Sequence, residues 1–367
     1  MGVLGWIAVV VLAGFAFVLI EGIYLSMVLR WETEQTLGLA YYGRPLAERR
    51  AFKRALARHA RFLAPMLALS RSNRFDFRRV SFRFRDISAP MGSTSPESFA
   101  KAERYAPRPD DVFVATQMKC GTTWMEHVVY EVLYRGGGTL VASGTALYAV
   151  APWLEGLKSV PVEQAPTLGS ARPSRIIKTH LPAHLCPRSA ASRYIYVARH
   201  PASCFASSVD FVITNTGGIA AGMPVFEEWF CSPDLMWWGT WPDHVAGWWR
   251  RAAADSNVLF VQFEDMKRDL PGIVRQVTGF LGLEPLSDPE LDQVVEKCGF
   301  AYMQAHQEMF EMFPPHILQT SGELFVRGSA ERHQDVPPDV RERVTAWAKE
   351  GTRESGYPWP YDSARAT

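Results

Sequence analysis

The sequence of 367 residues is poor in the features that mark disulfide-bonded, zinc-binding or glycosylated proteins. It has five cysteines and no C-x-x-C pair, so neither a disulfide framework nor a structural zinc site is predicted. None of its three asparagines has Ser or Thr two positions on, so there is no N-glycosylation acceptor. These absences favour a reducing compartment. With 47% apolar and 21% charged residues, the composition is that of a globular protein of one large domain or two smaller ones.

Net charge is also small, at +1, but it is unevenly distributed. Residues 30–86 hold 14 Lys and Arg against 5 Asp and Glu, a local charge of +9. With Glu21 as the one charge before them, residues 87–367 carry −7. The Arg are diluted among Leu, Ala and Phe, so no nucleic-acid partner is predicted. Within this segment, residues 44–69 combine apolar side chains at helical spacing with Arg and Lys. This pattern predicts an amphipathic helix that lies on membrane lipids, packs its apolar face on the rest of the protein, or simply exposes a solvated face.

Charge is absent altogether from residues 3–20. These 18 residues would form a helix of roughly 27 Å, at about 1.5 Å per residue, which is long enough to span a membrane. Nothing basic precedes Ile20, which argues against a cleaved signal peptide. We therefore expect a single transmembrane anchor in residues 1–29 and a basic juxtamembrane segment in residues 30–90. Positive charge directly after the anchor predicts a single-pass membrane protein whose remaining domain, residues 91–367, is cytoplasmic, with the basic residues against anionic headgroups.

The rest of the chain alternates between short strands and helices. Four continuous apolar runs are predicted as strands: 111–116, 175–179, 194–198 and 258–263. Helical patterns follow three of them: 124–134, 202–211 and 271–281. Strands without polar alternation are typical of a parallel sheet covered by helices on both faces, so the predicted fold class is α/β. Ligands in such sheets bind at the carboxyl ends of the strands.

The first strand is followed by a loop that could bind a phosphate or sulfate. Residues 117–124 read QMKCGTTW, in which a Lys, a Gly and two hydroxyls precede a helix whose first N–H groups attract anions. Lys119 comes before Gly121, whereas the Lys of a Walker A motif follows its Gly, so a magnesium–ATP site is disfavoured. Gly-Thr-Thr alone could be a simple helix cap, and Trp124 could lie in the core or against an adenine.

From this loop onward the sequence resembles the cytosolic-type sulfotransferases. Four blocks in order between residues 107 and 300 carry the resemblance: RPDDVFVATQMKCGTTWMEHVVYEVL, RIIKTHLP, YIYVARHPASCFASSVDF and HVAGWWRRAAADSNVLFVQFEDM. The corresponding loop of the family, approximately PKSGTTW, holds the 5′-phosphosulfate of 3′-phosphoadenosine-5′-phosphosulfate (PAPS). The resemblance therefore implies that residues 91–367 form a sulfotransferase domain with a P-loop-like central parallel sheet. It also implies PAPS as the co-substrate, without a metal.

The resemblance implies three catalytic residues. His180, in KTHLP at a strand end, would be the base that takes a proton from the acceptor hydroxyl, since an imidazole accepts a proton near neutral pH. Lys178, two residues earlier on the same face of the strand, would reach the sulfuryl oxygens. Lys119 would neutralise the charge that builds on the leaving phosphate.

The resemblance also implies the residues that bind the nucleotide. Arg199 and Ser207 have the spacing of the family's 3′-phosphate ligands, and Phe300 matches an aromatic residue that packs on the adenine. Residues 325–328, FVRG, resemble a late RKG element that also reaches the 3′-phosphate. The whole predicted set is Lys119, Cys120, Gly121, Thr122, Thr123, Trp124, Arg199, Ser207, Phe263, Cys298, Phe300, Arg327 and Gly328.

Three of these positions depart from the family pattern. Cys120 replaces the usual Ser of the loop, and the helix end and Lys119 are expected to acidify its thiol and make it sensitive to oxidation. Phe263 stands in place of a Tyr, which removes a hydroxyl near the base. The late element has a single basic residue, Arg327. The family's short dimerisation motif has no match, so the oligomeric state is left open.

The acceptor is the least determined part of the prediction. Residues 144–167 and 215–241 are the candidate acceptor loops, and their large side chains could form an apolar lid, belong to the core or rest on a membrane: Trp153, Phe226, Trp229, Phe230, Met236, Trp237 and Trp238. An apolar lid beside a membrane anchor favours the hydroxyl of a small lipophilic acceptor, such as a lipid, sterol, phenol or polyketide. The alternatives are a lumenal carbohydrate sulfotransferase and a non-catalytic, membrane-anchored nucleotide-binding protein. The intact His180 argues against the last.

Overall fold

The predicted strands form a parallel sheet at the centre of the protein. The computed structural model describes residues 2–37, 39–71, 76–169, 171–215, 221–318 and 332–361. Its strands are β1 (Ser81–Phe84), β2 (Ile87–Pro90), β3 (Asp111–Thr116), β4 (Arg175–Thr179), β5 (Arg193–Ala198) and β6 (Val258–Gln262). Strands β3 to β6 are parallel in the order β4-β3-β5-β6, and β1 and β2 form a separate antiparallel pair. The predicted α/β fold class is therefore confirmed.

Helices pack on both faces of this sheet. The α-helices are α1 (Val3–Thr36), α2 (Leu39–Tyr42), α3 (Leu46–Phe62), α4 (Ala64–Arg71), α5 (Pro96–Glu103), α6 (Thr122–Leu133), α7 (Leu140–Ser143), α8 (Leu147–Val150), α9 (Pro201–Asn215), α10 (Met223–Cys231), α11 (Trp241–Ala254), α12 (Phe263–Arg268), α13 (Leu270–Phe280), α14 (Asp288–Cys298), α15 (Phe300–Ala305) and α16 (Pro338–Thr352). Short 3-10 helices cover Phe77–Val80, Val162–Gln164, Gln307–Met309, Arg332–Asp335 and Arg353–Ser355. The three helical patterns predicted after the strands overlap α6, α9 and α13.

The central strands are buried on both faces, which explains their continuous apolar sequences. In β3, Phe113 enters one hydrophobic cluster and stacks on Tyr194 of β5 with ring centroids 4.9 Å apart, whereas Val112 and Val114 enter a second cluster on the opposite face. Helices α5, α9, α10, α11 and α16 contribute to the first cluster, and α6, α13 and α14 contribute to the second. The parallel register aligns the carboxyl ends of β3, β4 and β5, so the residues that follow these strands meet at one edge.

The hairpin of β1 and β2 packs with the main domain. Phe77 and Ile87 are buried in the first cluster, and the Ser88 hydroxyl donates to the Asp234 carbonyl at 2.6 Å. Residues 77–89, which precede the boundary expected at residue 90, therefore already contribute to the core. Their apolar side chains alternate with the Arg that make the segment basic.

Helix α1 changes its surroundings along its 34 residues. None of the residues in its most apolar 18-residue stretch is buried, and by length and composition the helix could cross a membrane. Its last turns lie against the protein. Val28 is buried, Trp31 packs on Phe52 with ring centroids 5.1 Å apart, and Glu32 accepts a hydrogen bond from the Ile317 N–H at 2.8 Å. One continuous helix therefore joins the exposed apolar segment to the folded domain.

The amphipathic segment predicted over residues 44–69 is two helices, α3 and α4, with Leu63 between them. Its apolar face packs on the protein, since Phe52, Leu56 and Leu63 are buried in a third cluster that also contains Tyr148. Of the expected apolar positions, Phe62 is exposed. The sequence left three interpretations of this segment open. In the structure, its apolar face packs on the domain.

Three basic side chains of α3 also contact protein. Arg49 is 1% exposed and donates to the Glu308 carbonyl at 3.0 Å. Arg50 forms an ion pair with the Glu308 carboxylate at 2.6 Å, and Lys53 forms one with Glu311. These three side chains thus have partners within the domain, and contact of the basic residues with lipid headgroups stays a prediction.

Candidate functional site

The loop between β3 and α6 forms the floor of the site. Gly121 caps α6 with a φ of 100°, a conformation that side chains with a Cβ rarely adopt. A Cβ at this position would lie 2.7 Å from Cδ2 of Phe263, so glycine also permits the close approach of that ring. The Thr122 hydroxyl bonds to the Thr116 hydroxyl at 2.6 Å, which fixes the first turn of α6 against the end of β3. The first N–H groups of the helix, which have no intrahelical acceptor, are thereby available to an anion.

Above this loop lies a cavity of about 790 Å³. The structure brings most of the predicted site residues to its wall: Lys119, Gly121, Thr122, Thr123, Trp124, Lys178, His180, Arg199, Ser207, Phe263, Cys298 and Phe300. Arg327 and Gly328 lie outside the described residues. The remaining member of the set, Cys120, is not part of the wall.

The Cys120 side chain points away from the cavity into the core. It is fully buried, and its Sγ lies 3.6 Å from Sγ of Cys204, whose thiol in turn contacts the Met118 carbonyl at 3.1 Å. Burial raises the pKa of the Cys120 thiol well above its usual value. The expected acidification by the helix end is therefore wrong, because the loop places the thiol beneath the backbone rather than in the anion site.

His180 lines the cavity between two indoles. Its ring is 5.5 Å from that of Trp153 and 4.9 Å from that of Trp238, measured between centroids. Its Nδ1 is 2.9 Å from the Thr116 carbonyl oxygen, and because a carbonyl can only accept, Nδ1 carries the proton. Burial, with a smaller contribution from the charge of Lys178, holds the pKa of His180 well below its usual value. The ring is thus neutral at physiological pH, with Nε2 as the unprotonated nitrogen.

Buried polar groups fix the backbone of His180, and the sequence did not point to them. Glu155 accepts hydrogen bonds from the His180 N–H at 2.7 Å and from the Thr179 hydroxyl at 2.9 Å. His244 donates from Nε2 to the His180 carbonyl at 2.9 Å, and Tyr196 donates to Nδ1 of His244 at 2.9 Å. The backbone of His180 is therefore held by Glu155 of the loop after α8 and by His244 of α11, which Tyr196 of β5 holds in turn.

Lys178 is completely buried yet its ammonium has no hydrogen-bond partner among the described residues. The Nζ lies 4.4 Å from the ring centroid of Trp153 and 4.9 Å from that of Tyr148, so aromatic faces surround it. Burial lowers its pKa, and the carboxylates of Glu126 and Glu155 oppose that shift. An unpartnered ammonium at the wall of a cavity fits an anionic ligand such as a sulfuryl group.

Two further cations, Arg199 and Lys119, line the same cavity. Arg199 is 6% exposed, donates to the Lys119 carbonyl at 3.0 Å and lies 4.4 Å from the centroid of Phe263, while its Nε lacks a partner in the described part of the chain. Burial, followed by the charge of Arg199, lowers the pKa of Lys119 to about 8. Ser207 faces the same cavity. The mutual repulsion of these cations favours a ligand with more than one phosphate.

Aromatic side chains form the wall beyond the loop. Trp124 meets Phe263 edge to face with centroids 5.5 Å apart, and its Nε1 donates to the Cys298 carbonyl at 2.8 Å. Phe300 lies on the same wall. This group could hold a planar base. Trp124 packs partly on the second cluster, and its role as a ligand platform stays a prediction.

The cavity also contains residues that the sequence did not indicate. Arg332 lies on the wall, paired with Asp210 and 3.3 Å from Asp335, four residues after the end of the expected late element. Lys53 of α3 and Glu311 also line the cavity. Both fall outside the blocks that resemble the family, so no motif could have pointed to them.

The large side chains of the candidate acceptor loops divide into two groups. Trp153 and Trp238 line the cavity beside His180. The others are buried in the first core cluster: Phe226, Trp229, Phe230, Met236 and Trp237. Across the described residues, no group of three or more His, Cys, Asp or Glu is arranged to hold a metal ion.

Comparisons with known proteins match the chain to one family model, described as a sulfotransferase domain, over residues 109–356. Sulfotransferase 2B1 of Homo sapiens is 31% identical over 255 residues, which are 67% of this chain and 67% of that protein. The 3-alpha-hydroxysteroid sulfotransferase of Cavia porcellus is 28% identical over 66% of this chain and 84% of its own length.

A solved structure of retinol dehydratase, in complex with androsterone and the inactive cofactor PAP, has the same fold. It superposes with a TM-score of 0.58 and 21% identity, covering 75% of this chain and 91% of that chain.

Proposed function

The chain belongs to the sulfotransferase family and is a PAPS-dependent sulfotransferase, and from this premise we propose that it sulfates the hydroxyl of a lipophilic acceptor, with His180 as the general base. One observation carries the proposal. The neutral His180 and the unpartnered ammonium of Lys178 lie side by side on one cavity wall, between a phosphate-binding loop and the aromatic rings of Trp153 and Trp238.

The residues on the nucleotide side fit PAPS, which supplies an activated sulfuryl group when bound. The N-terminus of α6 and Lys119 would hold the 5′-phosphosulfate, and Arg199 with Ser207 would hold the 3′-phosphate, for which Arg offers a bidentate donor pair. Lys178 would stabilise the negative charge on the sulfuryl oxygens in a site from which water is largely excluded. The aromatic group around Trp124 would pack on the adenine.

His180 would take the proton of the acceptor hydroxyl at Nε2. Its Nδ1–H is held by the Thr116 carbonyl, which fixes the tautomer, and the contacts of Glu155 and His244 to its backbone fix the position of the ring. Its low pKa keeps the ring unprotonated before the acceptor arrives. Proton abstraction makes the acceptor oxygen a nucleophile at the moment when it attacks.

The acceptor side of the cavity is mostly apolar, which supports a lipophilic alcohol, sterol or phenol. Its wall combines Trp153, Phe211, Trp238, Met312 and Phe313. One relative is named for 3-alpha-hydroxysteroids, and the retinol dehydratase structure contains androsterone. An anchored enzyme with such a wall would meet acceptors that partition into membranes.

We place the catalytic domain on the cytoplasmic face of a membrane that α1 crosses once. The exposed apolar stretch of α1 and the basic residues that follow it support this orientation. In sealed vesicles of known orientation, a protease added on the cytoplasmic side should degrade the domain. Complete protection until the vesicles are opened would favour the lumenal alternative.

The acceptor class is tested with the full chain in lipid vesicles and labelled PAPS. Androsterone, a simple phenol, a membrane lipid extract and a monosaccharide are offered in parallel. We expect label in the steroid, phenol or lipid fraction, with no transfer by His180→Ala and with PAP binding retained by that variant. Preferential sulfation of the monosaccharide would overturn the acceptor class, and unchanged turnover by His180→Ala would remove the base.

A further inference from the structure

Glu126 is a buried carboxylate beside the site that the mechanism above does not use. It lies on α6, one turn after the threonines of the phosphate-binding loop, and is completely buried. Its Oε2 accepts a hydrogen bond from the Tyr148 hydroxyl at 3.0 Å, whereas its Oε1 has no partner among the described residues. A buried carboxylate oxygen without a partner is costly, so a nearby cation is the expected compensation.

Tyr148 connects the Glu126 carboxylate with the first turn of α6 and with Lys178. Its hydroxyl bonds to the Thr123 hydroxyl in the first turn of α6 at 3.0 Å, and the face of its ring is 4.9 Å from Nζ of Lys178. Tyr42 of α2 packs against the same ring with centroids 5.9 Å apart. Glu126, Tyr148 and Lys178 therefore form one buried cluster directly beneath the expected position of the sulfuryl group.

Lys178 has two carboxylates as neighbouring negative charges, and they are not equivalent. Both oxygens of Glu155 are engaged by β4 and the residue after it, through the Thr179 hydroxyl and the His180 N–H. Glu126 keeps one oxygen free of hydrogen bonds within the described part of the chain. Burial raises the pKa of Glu126 to about 7, so its carboxylate is charged above neutral pH. Burial lowers the pKa of Lys178, and the charge of Glu126 is the largest effect that opposes this. Without Glu126, much of the stabilisation of the ammonium would be lost.

We propose that Glu126 is a positioning residue of the sulfuryl transfer, which acts through Lys178 by keeping its ammonium charged and aimed into the cavity. This inference rests on the proposed role of Lys178 toward the sulfuryl group. Besides Glu126, the ionisable groups around Lys178 are Glu155 before β4, His180 at the end of β4, Tyr148 of α8 with Tyr42 of α2 behind it, and Lys119 of the loop. Glu126 is the carboxylate among them with an oxygen that accepts no hydrogen bond from the described residues.

The test compares the affinities of PAPS and PAP for the full chain as the pH rises from about 6 to 9.5. PAP lacks the sulfuryl group, so the ratio of the two affinities reports the contact with Lys178 and cancels effects on the shared phosphates. In Glu126→Gln, we expect the preference for PAPS to disappear at a pH lower than in the wild type by about one to three units, the size of shift that a nearby opposite charge produces. Glu131→Gln is the matched control, since Glu131 is also buried on α6 but faces Lys297 at 3.5 Å, away from the cavity.

A rescue variant separates this role from a structural one. Arg stays protonated throughout the range, so in a Lys178→Arg background the further change Glu126→Gln should leave the pH dependence of the PAPS-to-PAP ratio unchanged. An unaltered pH profile of Glu126→Gln would overturn the inference, as would a shift of equal size in the Lys178→Arg background. If PAP binds to the wild type but PAPS never binds more tightly than PAP, the role assigned to Lys178 is refuted, and with it the inference about Glu126. If neither nucleotide binds, the proposed function fails as a whole.

Discussion

Replacing Gly121 by Ala should damage the nucleotide site through two separate effects. The backbone has a φ of 100°, and the new Cβ would lie 2.7 Å from Cδ2 and 3.0 Å from Cε2 of Phe263. That ring has little freedom to retreat, because one side of it meets Trp124 and the guanidinium of Arg199 lies over it. Any movement of Phe263 would therefore disturb residues on both sides of the nucleotide.

The magnitude follows from the two effects. A left-handed conformation costs a residue with a Cβ roughly 1–2 kcal/mol, and overpacking of a filled site typically costs about 1–3 kcal/mol. The free energy of unfolding should thus fall by about 2–5 kcal/mol. At about 2–4 °C per kcal/mol for a domain of this size, the Tm should fall by at least about 4 °C.

Gly92→Ala is the control. Its φ is 88°, but no described atom lies within 4 Å of the position that a Cβ would take, so this variant has the backbone cost alone. Thermal unfolding is followed with and without PAP, which at about 100 times its Kd should raise the stability of a competent site by roughly 2.7 kcal/mol. We expect the PAP-induced shift in Gly92→Ala and its loss in Gly121→Ala. Equal Tm values and equal PAP-induced shifts for the two variants would show that the contact with Phe263 does not restrict this position.

Three further outcomes follow from the geometry. Alkylation of the native protein should modify the partly exposed Cys231 but not the buried Cys120, which mass spectrometry would show as labelled only after unfolding; early labelling of Cys120 would contradict its burial. Because the pKa of Lys119 is lowered to about 8, the affinity for PAP should decline above that pH as the ammonium loses its proton, and Lys119→Arg should abolish this decline in a binding titration. Lys53→Ala should raise the KM for the acceptor without changing that for PAPS, since Lys53 lines the cavity but is not among the residues proposed to bind the nucleotide, whereas the exposed Arg54→Ala on the same helix should change neither.

The central sheet could be predicted because each strand is buried on both faces and therefore has a continuous apolar sequence. The predicted elements were less accurate where the same residue fits the pattern of one element but belongs to another. Phe263 continues the apolar run of β6 but begins α12, and its ring contacts the loop instead of the sheet. The β1–β2 hairpin was missed because its Arg side chains contribute to the charge excess that defined the juxtamembrane segment.

The residues of the candidate site that could be predicted are those held by short-range spacing. Lys178 and His180 lie at the end of one strand, and the loop residues lie within one turn. Their relative positions therefore follow from a short sequence motif. Glu126, Glu155 and His244 could not be found in this way, because their roles depend on contacts between elements far apart in the chain. The prediction for Cys120 was wrong for another reason. The sequence placed this residue at the helix end but could not show that its side chain turns toward Cys204.

The most direct test of the proposed function is the transfer of labelled sulfuryl from PAPS to androsterone by the full chain, compared with His180→Ala and with Arg199→Ala. We expect labelled steroid sulfate from the wild type, none from His180→Ala despite normal PAP binding, and from Arg199→Ala a rate that recovers only at higher PAPS concentration. Sulfation by His180→Ala at the wild-type rate would contradict the proposed function of this site.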